Sequence, residues 1–134
     1  MNLIFDVHLD LSMNALEWNR DLTLSLEEIR SLEQGKTDMK GRGENTVTFE
    51  EMRRGGIGLC VATQIGGCMK PAGPCASWES PSQAWAMTQG QRIYYETMVE
   101  MGEMAPVRNL AELDAHLAKW SDPVAAAAAK EPIG

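Results

Sequence analysis

The sequence predicts an α/β fold, and three observations carry that expectation. Residues 3–11 and 57–65 are short, bounded apolar runs of strand length. Four other segments open with helix-start signals: Ser25 with Glu28, Thr48 with Glu51, Ser80 with Pro81 and Gln83, and Asn109 with Glu112. The order of strand, helices, strand, helices suits parallel strands, because a parallel pair needs a long crossover.

The elements follow in turn. Ile4, Phe5 and Val7 favour extended backbone in the first run. Alternation along a strand would put Asp6, His8 and Asp10 on one face, with Phe5, Val7, Leu9 and Leu11 on the opposite, buried face. Thr23 or Ser25, the latter with Glu28 three residues on, can cap a helix of about ten residues that Gly35 stops. Residues 35–46 collect Gly, Asp, Asn and Lys without apolar periodicity, the composition of an exposed loop. Thr48 and Glu51 open the short helix "FEEMRR", ended by Gly55-Gly56, with Arg53 and Arg54 where cations suit a helix C-terminus.

The continuous run "IGLCVATQI", 57–65, predicts a parallel strand buried on both faces. Residues 66–80 are rich in Gly and Pro and predict a loop after a strand, where α/β folds place binding loops. Thr63 and Gln64 stand at its entrance and read as ordinary polar residues at a strand end rather than as pocket lining. A long helix is expected from about residue 81 to residue 101, with Met87, Met98, Met101 and Met104 as core filler. Leu110, Leu113, Leu117 and Trp120 share a face at helical spacing, a packing face that leaves His116 on the surface. In the tail "DPVAAAAAKEPIG" a helix-compatible stretch gives way to "PIG", which reads as the entry to a further strand.

Composition narrows the function classes. The 134 residues suit one small domain, about half of what an eight-stranded α/β barrel needs. Nineteen acidic against twelve basic residues give a formal charge of −7, which argues against general attraction to nucleic acid or anionic membrane. No basic leader precedes the first apolar run, which breaks at Asp6, and no run approaches a membrane span, so no membrane insertion is expected. Cys60, Cys68 and Cys75 form neither a paired zinc spacing nor an even disulfide set, and thus read as thiols of a reducing, cytoplasmic protein.

One constellation carries chemistry. His8 and Asp10 form an H-x-D pair at the expected C-terminal end of the first strand, the end that faces the active site in α/β barrels. Their Cα atoms would stand about 6 to 7 Å apart, and imidazole nitrogen and carboxylate oxygen are suitable zinc ligands. Two plainer readings stand beside this one: His8 as a core histidine satisfied by a carboxylate, and Asp10 as the cap of the following turn.

"FDVHLDLSMNALEWNRD", followed by "TFEEMRRGGIGLCVATQI", resembles the N-terminal part of the membrane dipeptidase (renal dipeptidase) family, the M19 peptidases of the amidohydrolase superfamily. Those enzymes open on a D-x-H-x-D strand and enter the second strand through a Gly-rich turn after a short helix. With the long helix that follows, the resemblance spans essentially the whole chain. Val7 and Leu9 depart from it, standing where the family has a small residue and an Asn.

The resemblance implies a fold, a cofactor and roles. The fold is the N-terminal part of a TIM-type (β/α)8 barrel of the metal-dependent hydrolase type, residues 1–134 being one partial domain. His8 and Asp10 match the first-strand ligands of a binuclear Zn2+ centre, and Asp6 matches a leading Asp that orients them. The family's bridging Glu and two later histidines have no match here, and "EPIG" resembles the approach to the strand that bears the Glu. The expected activity is therefore that of a zinc-dependent dipeptidase, or of its N-terminal fragment, acting on a dipeptide substrate. The alternatives are a non-catalytic truncated fragment, associating as a homodimer or with the remainder of the barrel, and a divergent amidohydrolase acting on another amide.

Overall fold

Each predicted helix start is made by the side chain that the sequence offers. The structure, a computed structural model, describes residues 2–68 and 77–134. The Ser25 hydroxyl accepts the Glu28 amide at 3.2 Å while the Glu28 carboxylate accepts the Ser25 amide at 2.9 Å, opening α2, Leu26–Glu33. Thr48 accepts the Glu51 amide and opens α3, Phe49–Gly55, which ends on Gly56 at a left-handed φ of 77°. Ser80 caps α4, Pro81–Glu100, and Asn109 caps α5, Leu110–Lys119. Asp122 accepts the amides of Val124 and Ala125 at the start of α6, Pro123–Ala128. One helix, α1 at Leu11–Leu16, follows the first strand directly; its N-cap residue, Asp10, makes no side-chain capping bond.

The strands are β1, Ile4–Leu9, and β2, Ile57–Ala62, paired in parallel with Phe5 opposite Leu59, Asp6 opposite Cys60 and Leu9 opposite Ala62. Irregularities between Ile4 and Phe5, and again between Asp6 and Leu9, interrupt the register. The "PIG" tail joins the far edge of β2: the Cys60 amide donates to the Gly134 carbonyl at 2.8 Å, and the Gly134 amide to that of Gly58 at 2.9 Å. Met104 then bridges Ile133 in parallel on the other side. Two further short strands, β3 at Gly67–Cys68 and β4 at Ser77–Trp78, pair in parallel at the ends of the predicted 66–80 loop. Residues 69–76 of that loop, Cys75 among them, lie outside the described residues.

The result is a mixed α/β arrangement with small sheets and no closed barrel among the described residues. Leu11, Leu22, Ile29, Phe49, Met52, Trp120 and Ile133 build its core. Gly58 belongs in it by subtraction, since a Cβ there would lie 2.4 Å from the Trp120 ring and 2.6 Å from Leu3. The indole can close on the strand only because that side chain is absent.

Several sequence expectations are corrected. β1 is not mostly buried, as Ile4, Phe5 and Val7 are 46%, 53% and 67% exposed. Leu11 is buried, but in α1 rather than on the strand. Nor is β2 buried on both faces: Val61 is exposed, and the strand stops at Ala62. Leu110 and Leu117 are exposed, and α5 packs instead through His116 and Trp120. His116 is therefore a core residue, its Nε2–H donating to the Gly58 carbonyl at 2.6 Å. Arg53 does more than face a helix end, since it is buried and donates to the Glu131 carbonyl and, at 2.8 Å, to the Glu103 carboxylate. Of the methionines, Met98 and Met104 are buried while Met101 is exposed. No helix among the described residues is long and apolar enough to cross a membrane.

Candidate metal centre at the end of the first strand

Parallel pairing gives β1 and β2 a common C-terminal end, and His8, Asp10 and Thr63 meet there. His8 Nε2 lies 3.4 Å from Asp10 Oδ1, with the imidazole 72% and the carboxylate 31% exposed. Asp6 does not reach that pair; its Oδ1 accepts the His8 backbone amide at 3.0 Å and braces the strand just before the pair. The expected row of three convergent groups is thus a pair of donors with a backbone brace.

The 3.4 Å separation is informative. Two donors each about 2.0–2.1 Å from a tetrahedral zinc stand about 3.3–3.4 Å apart, so these two atoms span one edge of such a tetrahedron. A simple ion pair between a protonated His8 and Asp10 would have the same length, and metal titration is what separates the two. Among the described residues no group of three or more His, Cys, Asp or Glu is placed to hold a metal ion. The fit to zinc is therefore that of two ligands, with the remaining coordination positions open.

Behind the pair lies a network that sequence reading did not foresee. The Thr63 hydroxyl donates to Asp10 Oδ1 in a short hydrogen bond, and the Thr63 amide donates to the Leu9 carbonyl at 3.1 Å. The Thr63 carbonyl accepts from Tyr95 OH at 2.6 Å and from Ser12 Oγ at 3.2 Å. Gln91, fully buried in α4, clasps the Ile65 backbone, its Oε1 accepting the amide and its Nε2 donating to the carbonyl, both at 2.7 Å. Ser12 and Gln91 carried no local signal, because their partners are more than fifty and twenty residues away respectively. Burial, with its desolvation cost, raises the Tyr95 hydroxyl above its ordinary pKa and keeps it a donor at neutral pH.

The other sequence candidates fall elsewhere. Cys60 is a half-buried free thiol pushed up to about 11, first by burial and then by the Asp6 charge, so it stays protonated at neutral pH. Cys68 is free and exposed. Gln64 lines an open, mainly apolar cavity of about 790 Å³ with Phe5, Leu59, Val61, Val99 and Leu113, which does not include His8 or Asp10. Comparison with family models, with curated proteins and with solved structures gives no match.

Proposed function

We propose that this chain contributes the first-strand ligands, His8 and Asp10, to the zinc centre of a dipeptidase of the membrane dipeptidase type. The observation that carries the reading is the 3.4 Å spacing of His8 Nε2 and Asp10 Oδ1 at the C-terminal end of a parallel strand pair. A zinc ion at such a site supplies Lewis-acid activation of a carbonyl and of water. The chain's own residues do the holding: Asp6 fixes the backbone at His8, and Thr63 fixes the carboxylate of Asp10. The finer fold reading, two barrel strands with a third beginning at Ile133, is supported by the parallel ladder of β1 with β2 and by the two hydrogen bonds that Gly134 makes to the other edge of β2.

Zinc titration of the purified chain, followed through the ring resonances of its two histidines, tests the site. The His8 resonances should move while those of buried His116 stay, and His8→Ala or Asp10→Ala should abolish the response. Resonances of His8 indifferent to zinc would sink the reading. Release of amino acids from a dipeptide panel, against a panel of other amides, then separates a dipeptidase from a divergent amidohydrolase.

A second reading has its own observation. The exposed apolar residues Ile4, Phe5, Val7 and Val61 lie on paired strands, and β1 forms an edge of its sheet among the described residues. Such an edge suits association with another chain, so a non-catalytic fragment that docks on a partner is the competing function. Sedimentation as a lone monomer at high concentration would count against self-association.

A further inference from the structure

We infer that Thr63 is a positioning residue for the Asp10 ligand, and that α4 sets its position through Tyr95 and Gln91; the inference rests on the zinc reading of His8 and Asp10. Ligand carboxylates bind metal well when a second hydrogen bond fixes which oxygen faces the ion. Here the Thr63 hydroxyl bonds the same Asp10 oxygen that lies 3.4 Å from His8 Nε2. Without that bond Asp10, about one-third exposed, is free to turn toward solvent.

Thr63 is itself held from three directions. Its amide and hydroxyl lie 3.1 Å and 3.3 Å from the Leu9 carbonyl, tying it to the strand that bears the ligands. The Tyr95 hydroxyl donates to its carbonyl at 2.6 Å and accepts the Ser12 amide at 3.2 Å, so one phenol joins α4, α1 and the end of β2. Two residues on, the Gln91 carboxamide takes both backbone groups of Ile65, in the manner of a strand partner. Gln91 and Ser12 are fully buried, and Ser12 Oγ lies 3.4 Å from Gln91 Oε1. This buried polar clasp ends, through the Thr63 hydroxyl, at the partly exposed Asp10 carboxylate.

The test compares zinc affinity of the full chain with that of Thr63→Val, Thr63→Ser and Tyr95→Phe, read from the His8 ring resonances. Thr63→Val keeps the shape and removes the hydroxyl, and should weaken zinc binding by about 10- to 100-fold. Thr63→Ser restores the hydroxyl and should restore most of the affinity, an outcome that loss of packing alone would not give. Should the Val variant not fold, Tyr95→Phe takes its place, with a smaller loss of affinity expected. Wild-type affinity in Thr63→Val or, where that variant is unfolded, in Tyr95→Phe overturns the positioning role and leaves the zinc reading standing. A serine variant as weak as the valine one does the same. A wild-type chain that binds no zinc overturns both.

Discussion

The His8 and Asp10 pair and the Glu33 cluster are both built from opposite charges, yet only one of them is closed to water. Glu33 is 3% exposed and uses both carboxylate oxygens: Oε1 accepts from Arg20 at 2.8 Å and Arg42 at 2.6 Å, Oε2 from Arg20 at 3.0 Å and the Gly43 amide at 2.7 Å. Arg20 in turn bonds Asn14 and the Gly41 carbonyl and lies over the Trp18 ring at 4.5 Å. Every valence of that carboxylate is spent on holding the 35–46 loop against α1 and α2. Among the described residues the Asp10 carboxylate accepts from Thr63 alone, beside an imidazole that faces solvent. Buried charges that are fully bonded hold structure, whereas a half-satisfied exposed pair keeps coordination capacity in reserve.

Three variants press on that contrast. Glu33→Ala should do the most damage, about 3–5 kcal/mol, because it leaves two buried guanidinium groups without their shared partner; urea unfolding measures it. Acid should act through the same residue. The Arg20 hydrogen bonds, with those of Gly43 and Arg42, lower the Glu33 carboxyl from its ordinary 4.5 to about 2. A lowered folded-state pKa gives stability that is present above about 4.5 and lost as pH falls toward about 2. Thermal melts of Glu33→Gln should therefore fall less steeply than wild type over that range, and equal slopes would show that Glu33 does not govern the acid limb. The smallest effect on stability belongs to His8→Ala, within about 0.5 kcal/mol because the ring is largely exposed. A large destabilisation there would make His8 a structural residue and erase the contrast.

What was legible in the sequence was local. Ser25 with Glu28, Thr48, Ser80 and Asn109 begin helices where expected, because a cap needs only residues two or three positions away. The closeness of His8 and Asp10 was legible for the same reason, as they stand two residues apart on the chain. α1 was not, as it opens without a side-chain cap and is held by what Leu11, Ser12 and Met13 bury. His116 was misplaced because the helical face was judged from its leucines, while the Gly58 carbonyl of the strand opposite takes the imidazole N–H as well as the Gly134 amide. Gln91 looked like one polar residue of a polar helix, and only its reach to Ile65 gives it meaning.

The double pairing of β2 also has a consequence for the order of assembly. α2 and α3 are started by neighbours three residues away, so their capping bonds close over short stretches of chain. β1 and β2 must close a loop of roughly 50 residues before they meet, and the Ile133–Gly134 segment must return across a longer one, so loop-closure entropy places the sheet late. Until it forms, Ile4, Phe5 and Val7 have no β2 to pair with. The strand that carries His8 is thus open to mispairing until the sheet closes.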